Sequence, residues 1–299
     1  MYLEHFGLDQ APFTITPDTD FFFNYGSHNQ ALNVLLVAIR SGEGFIKVTG
    51  EVGTGKTLLC RKLLNTLDDG YVTAYIPNPF LSPDTLRMAF ADELGIPFAR
   101  SIDQHRLLRL ITAKLVKINS EGKKVVLLLD EAQAMPDDSM EALRLLTNLE
   151  TEKEKLVQVV LFGQPELDRR LQHTHLRQLK QRILFSYVLK PLDRDTLAIY
   201  LDHRMLIAGY RGKPLFSKQA LRSLYRYSRG IPRLINVLSH KALMSAYGRG
   251  DHGISRKHIH RAALDTEDVQ TRLPKVLAFA AGLFGLLTLT SAGLFAAWN

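Results

Sequence analysis

Cysteine and tryptophan each occur once in 299 residues, as Cys60 and Trp298. One cysteine excludes an intrachain disulfide, favours a reducing compartment and gives Cys60 the role of a small buried apolar residue. The first twenty residues have no basic segment followed by an apolar one; they carry Glu4, Asp9, Asp18 and Asp20, so no signal peptide is expected. At 46% hydrophobic content the chain is not disordered and can bury a substantial core. Charge is unevenly spread. Of a formal net charge of +8, the whole excess falls in residues 191 to 272, which hold 15 Lys and Arg against 7 Asp and Glu.

Charge is missing altogether from Val276 to Trp298, 23 residues rich in Leu, Ala, Phe and Gly. That length spans a bilayer as one helix. Arg272 and Lys275 precede it, so the upstream side is expected to stay cytoplasmic. A basic region can meet anionic lipid, nucleic acid or nucleotide phosphates. Beside a membrane anchor, an anionic membrane surface is the favoured partner and nucleic acid the disfavoured one.

What is present centres on Gly50-Glu51-Val52-Gly53-Thr54-Gly55-Lys56-Thr57. It follows a β-branched apolar run, Phe45 to Thr49, and precedes a helical pattern beginning at Leu58, the strand, loop and helix context of a phosphate-binding loop. Glycines let backbone N–H groups converge on phosphate oxygens, Lys56 brings a mobile positive charge, and the Thr57 hydroxyl can ligate Mg2+. The helix N-terminus adds partial positive charge. Nucleoside triphosphate binding through Gly50 to Leu58 is the expectation.

A second apolar run, Val125 to Leu129, ends in Asp130-Glu131. Two acids at the carboxyl end of a central strand, downstream of such a loop, form the other half of a nucleotide hydrolase. Asp130 is expected to hold Mg2+ partly through water, and Glu131 to polarise the attacking water. Asp130-Glu131-Ala132-Gln133 also imitates a helicase box, but no second helicase core fits the remaining length. Gln164 follows another strand, Leu156 to Phe162; it is either a turn residue or an amide reaching the γ-phosphate or the lytic water.

Strands and helices alternate from 44 to 189, which predicts an α/β, mostly parallel sheet. Beyond Pro191 the pattern is all helical, at about 194 to 208, 217 to 228, 232 to 247 and 255 to 266. Four parts follow: a leader with its first helix over 1–43, a nucleotide-binding domain over 44–190, a helical domain over 191–272 and a transmembrane helix over 276–298. The leader reads as irregular, and its aromatic cluster Phe21-Phe22-Phe23 with Tyr25 either packs on the core or covers a nucleotide base. A helix is predicted from about Asp138 to Glu150.

These motifs together resemble the AAA+ ATPases. Finer phrases, among them Gly53-Thr54-Gly55-Lys56-Thr57, Asp130-Glu131-Ala132-Gln133, Gly163-Gln164-Pro165-Glu166-Leu167 and Gly230-Ile231-Pro232-Arg233, resemble the general secretion pathway protein A family and its type IV pilus branch. The resemblance implies a P-loop NTPase of AAA+ type, with a parallel five-stranded sheet core, a C-terminal helical lid, and ATP and Mg2+ as cofactors. It places Gln164 at the sensor 1 position and Arg233 at sensor 2. Arg182 falls where relatives carry an arginine finger acting on a neighbouring copy, with Arg177 as its competitor. It further implies a homo-oligomer with that finger in trans, a bacterial inner membrane location, and pilus or secretion assembly proteins as partners. Secretion proteins of the family continue into a long periplasmic portion similar to peptidoglycan-binding domains, so cell-wall binding is not expected of these residues. Two other readings share the motifs: a DNA-binding regulator of the transposition-ATPase type, and a nucleotide-gated assembly adaptor with little turnover.

Overall fold

The computed structural model describes residues 2–151 and 154–270. The expected membrane helix over 276–298 lies outside the described residues, and among those described no helix is long and apolar enough to cross a membrane. Five strands form one sheet: β1 (Phe45–Thr49), β2 (Tyr71–Ile76), β3 (Lys124–Leu129), β4 (Val157–Gly163) and β5 (Ile183–Val188). Every pairing is parallel, in the order β2-β3-β4-β1-β5. The interior strand β4 is buried at every position, as continuous apolar runs require when helices cover both faces. Edge strand β5 instead alternates half-buried and exposed residues.

The helices are α1 (Tyr2–Phe6), α2 (Gly26–Arg40), α3 (Lys56–Leu64), α4 (Pro83–Glu93), α5 (Gln104–Ser120), α6 (Asp137–Leu146) and α7 (Pro165–Arg170), then α8 (Arg177–Arg182), α9 (Arg194–Ile207), α10 (Lys218–Ser228), α11 (Pro232–Tyr247), α12 (Arg256–Leu264) and α13 (Glu267–Gln270). Local chemistry sets several starts. The side chains of Ser82, Asp103, Asp193 and Ser217 each accept a backbone N–H at the first turn of α4, α5, α9 and α10, a cap worth about 1 kcal/mol.

One sheet face packs on α4, α5 and α6 through Leu86, Phe90, Leu107, Ile111 and Leu143. The opposite face packs on α2 and α3 through Leu35, Ile39, Leu59, Cys60 and Leu63. Cys60 is fully buried there, and burial pushes its thiol well above the ordinary pKa, which fits an inert core residue. Helices α9 to α12 share a third core with Leu197, Leu224, Ile235, Leu238 and Ile259.

The leader differs from its expected irregular form, because it opens with α1 and is spliced into two cores. Phe6, Leu8, Phe13 and Phe23 join the helical core, whereas Phe22 joins the sheet core on the α2 side. Phe21, Phe22 and Phe23 are all buried, so packing is what these rings do. Helix α6 ends at Leu146, short of the predicted Glu150. The Thr147 hydroxyl bonds the Arg144 carbonyl at 2.8 Å, and Glu150 turns to an antiparallel bridge with Lys155 that feeds β4.

Candidate functional site

The loop after β1 is shaped by its glycines. Gly53 and Gly55 have φ of 81° and 98°, a left-handed backbone that side chains rarely adopt. A Cβ on Gly53 would lie 2.7 Å from Arg233 Cβ, and one on Gly50 would lie 2.8 Å from the Leu189 carbonyl. The loop is therefore bare because the α11 start and the end of the sheet press against it. The Arg233 N–H donates to the Gly53 carbonyl at 3.1 Å.

Lys56 opens α3 and is buried. Its ammonium donates to the carbonyls of Gly50 at 2.8 Å and Glu51 at 3.0 Å. Burial lowers its pKa, and the nearby Glu131 and Asp130 carboxylates pull in the opposite direction. A buried ammonium held only by carbonyls is poorly compensated, so an anionic phosphate is the group that suits it. His28, at the start of α2, donates from Nε2 to the Thr54 carbonyl at 2.8 Å. Burial lowers its pKa and its Nδ1 has no partner among the described residues, so it braces the loop as a neutral ring.

At the end of β3, the Thr57 hydroxyl donates to Asp130 Oδ2 at 2.6 Å, and Asp130 Oδ1 accepts the Glu131 N–H at 2.9 Å. Asp130 is 3% exposed. Burial raises its pKa, against the pull of the Thr57 hydrogen bond. A carboxyl raised in the folded chain costs nothing below its unfolded pKa and its full ionisation penalty above the folded one, a penalty that a bound cation offsets. Glu131 has φ 53° and ψ 37°, so the chain doubles back at once through a turn over Ala132–Ala134. That reversal brings Gln133 onto the Glu131 carboxylate, where Gln164 also donates at 3.1 Å.

A cavity of about 320 Å3 lies between the leader, the loop and the helices beyond β5. Thr14 to Asp18 close one side, and Tyr200, Arg204, Arg233 and Asn236 close the other. Of the residues predicted from sequence, Val52, Gly53, Gly55, Lys56, Thr57, Leu58, Glu131 and Arg233 line it. Gly50 and Glu51 hold Lys56, Thr54 holds His28, Asp130 holds Thr57 and Gln164 holds Glu131. Arg182 stands apart, with Nη1 donating to the Arg144 carbonyl at 3.4 Å and Thr147 Oγ1 at 3.3 Å. Arg177 is exposed. His28, Gln133, Arg170 and Arg204 were not singled out from sequence. Gln133 alone had a signal, its place in the Asp-Glu-Ala-Gln phrase.

The donor set fits the group the loop implies. No cluster of three or more His, Cys, Asp or Glu able to hold a metal occurs among the described residues. One hydroxyl and one carboxylate in contact, beside a phosphate cradle, is the sparse protein share that Mg2+ takes when phosphates and water supply the rest.

Residues 39–171 match the AAA domain family. The chain is 42% identical over 270 residues, 90% of its length, to general secretion pathway protein A of Aeromonas hydrophila, and spans 49% of that relative's length. Its fold is similar to Cdc6p from Pyrobaculum aerophilum, with a TM-score of 0.64 and 21% identity over 87% of this chain and 75% of that one. It is also similar to the ORC2 protein of Aeropyrum pernix, with a TM-score of 0.60 and 18% identity over 84% and 72%. At these identities the likeness is one of fold: an α/β P-loop architecture of AAA+ type on a parallel five-stranded sheet.

Proposed function

From the premise that this chain is an AAA-type ATPase related to general secretion pathway protein A, we propose that it hydrolyses ATP with Mg2+ at a site completed by a second copy. Its turnover serves assembly of a type IV pilus, of the mannose-sensitive haemagglutinin kind, or of type II secretion machinery. One observation carries the reading: Lys56, Thr57 and Glu131 meet Arg233 of α11 across a single cavity, with Asp130 bonded to Thr57. Thr57 and Asp130 would hold Mg2+, which supplies charge neutralisation on the phosphates. Lys56 binds phosphate oxygens, Glu131 orients water, and Gln164 and Arg233 report the state of the γ-phosphate to the lid. Arg182 of a neighbouring copy completes the charge balance.

Lys56→Ala tests the nucleotide reading. A charge-assisted contact is worth about 2–3 kcal/mol, so ATP affinity is expected to fall roughly 100-fold in a fluorescent-nucleotide titration. Affinity equal to wild type contradicts it.

The proposed location is the bacterial inner membrane, with the ATPase on the cytoplasmic side and the span at 276–298. A basic surface supports this: Arg256, Lys257 and Arg261 line one cavity on the helical domain, beside Arg249, which is paired with Asp251. Arg256, Lys257 and Arg261 make no ion pair among the described residues. These three residues lie within twenty residues of the apolar stretch and suit an anionic membrane surface. The 299-residue chain is expected to float with phosphatidylcholine vesicles after a high-salt wash. Recovery in the unbound fraction contradicts anchoring.

A further inference from the structure

Glu131 offers its two carboxylate oxygens unequally. Oε2 accepts from the side-chain amides of both Gln133 and Gln164, whereas Oε1 takes no hydrogen bond from the described residues. Glu131 lines the nucleotide cavity, and Gln133 and Gln164 do not. One oxygen is therefore tied to the protein and the other left for a ligand or water.

The tie continues outward from Gln133. Its Oε1 accepts the Gln164 N–H at 2.9 Å, and its carbonyl accepts Arg170 Nη1 at 2.6 Å. Arg170 Nη2 is paired with Asp137 at the first turn of α6. The other oxygen of Asp137 lies 2.7 Å from His175 Nε2, and these bonds hold the Asp137 carboxyl below its usual pKa, that to Arg170 contributing most. His175 belongs to the single turn Thr174–Leu176 that runs directly into α8. A continuous chain of polar contacts thus joins the cavity carboxylate to the segment carrying Arg177 and Arg182.

We infer that Gln133 and Arg170 are positioning residues for hydrolysis: Gln133 fixes the Glu131 carboxylate, and Arg170 fixes Gln133 while tying it through Asp137 and His175 to α8. The inference rests on the proposed role of Glu131 in orienting water. The physical need is clear. Glu131 occupies a left-handed backbone on a tight turn, and its side chain can rotate away from any water unless one oxygen is pinned. A misplacement of about 1 Å in a reacting group costs roughly 100-fold in rate. Arg170 is the stronger anchor because its two nitrogens bridge the turn and α6 at once. A lysine, a point charge on a flexible stem, cannot make both bonds in fixed geometry.

The test is steady-state ATPase kinetics on the full chain, with ADP affinity and Tm measured alongside, for Gln133→Ala, Arg170→Ala, Arg170→Lys and Glu131→Gln. Gln133→Ala and Arg170→Ala are expected to lose roughly 10- to 100-fold in kcat, with KM for ATP and ADP affinity changed by no more than about twofold. Arg170→Lys should recover little. Gln133→Ala/Arg170→Ala should be no worse than the poorer single variant, because both act on one group. If an alanine variant does not fold, Gln133→Asn, one methylene shorter, reads the same step. Wild-type kcat in both alanine variants would overturn the inference. So would a rise in kcat, which would mean that the amides hold Glu131 away from water, or a parallel loss of ADP affinity, which marks general disruption. Failure of the underlying reading looks different: Glu131→Gln would itself turn over like wild type.

Discussion

Glu131→Gln is expected to bind ATP as tightly as wild type and to lose turnover by roughly 10^2- to 10^4-fold, the usual contribution of a positioned acid or base. The substitution removes charge and keeps shape. The amide oxygen can still accept from Gln133 and Gln164, so the turn over Ala132–Ala134 and the cavity wall remain in place. The proposed phosphate binding rests on the loop, on Lys56 and on the Thr57 and Asp130 pair, none of which bonds the Glu131 carboxylate among the described residues. What disappears is the anionic oxygen facing the cavity. Nucleotide titration beside phosphate release separates the two effects, and wild-type turnover would refute the role.

Arg182→Ala is expected to retain ATP binding and lose about a thousandfold or more in kcat, the scale on which arginine fingers act. The argument is positional. Arg182 ends α8 and immediately precedes edge strand β5, and its guanidinium bonds carbonyl and hydroxyl oxygens at the end of α6, where a cation is favoured by the helix dipole. It does not line the cavity of its own chain. Next to it, Leu184 and Val188 of β5 are 66% and 55% exposed, an apolar edge suited to contact with another copy. Arg177, exposed and without such bonds among the described residues, is the control; Arg177→Ala should keep most activity. If Arg177→Ala is the inactive variant and Arg182→Ala turns over normally, the finger is Arg177.

The elements that alternate or run continuously apolar were legible in the sequence. β1 matches its predicted bounds, and β3 and β4 fall within about a residue of theirs, because short β-branched apolar runs such as those around Ile46, Val126 and Val160 suit buried strands. The order β2-β3-β4-β1-β5 was not legible, since nothing in one strand's sequence names its neighbours. The short helices α1, α7 and α8 were missed, for they are below the length at which propensity nucleates a helix and form only against the rest of the fold. Phe22 and Phe23 read as one cluster, yet they enter separate cores, a distinction set by strand-like alternation in a segment too short to show a period. In the site, residue types fixed by phosphate chemistry stood out: Gly53, Lys56, Thr57, Asp130. His28 and Arg170 did not, because each meets a backbone carbonyl, at Thr54 and Gln133, and the Asp137 carboxylate that also pairs with Arg170 is distant in sequence. Gln133 was invisible as a partner of Glu131 because no spacing announces the left-handed turn at Glu131 that brings the two side chains together.

The central claim is an ATPase site shared between copies, and mixing two inactive proteins tests it most directly. Glu131→Gln supplies a normal Arg182 but a dead cavity; Arg182→Ala supplies a normal cavity but no finger. If the site is composite, equal mixing of the two variants restores phosphate release, at about one interface in four for random assembly, and the recovered rate rises with protein concentration. A mixture that releases phosphate no faster than the sum of its two inactive parts, at concentrations where the wild type is fully active, would contradict it.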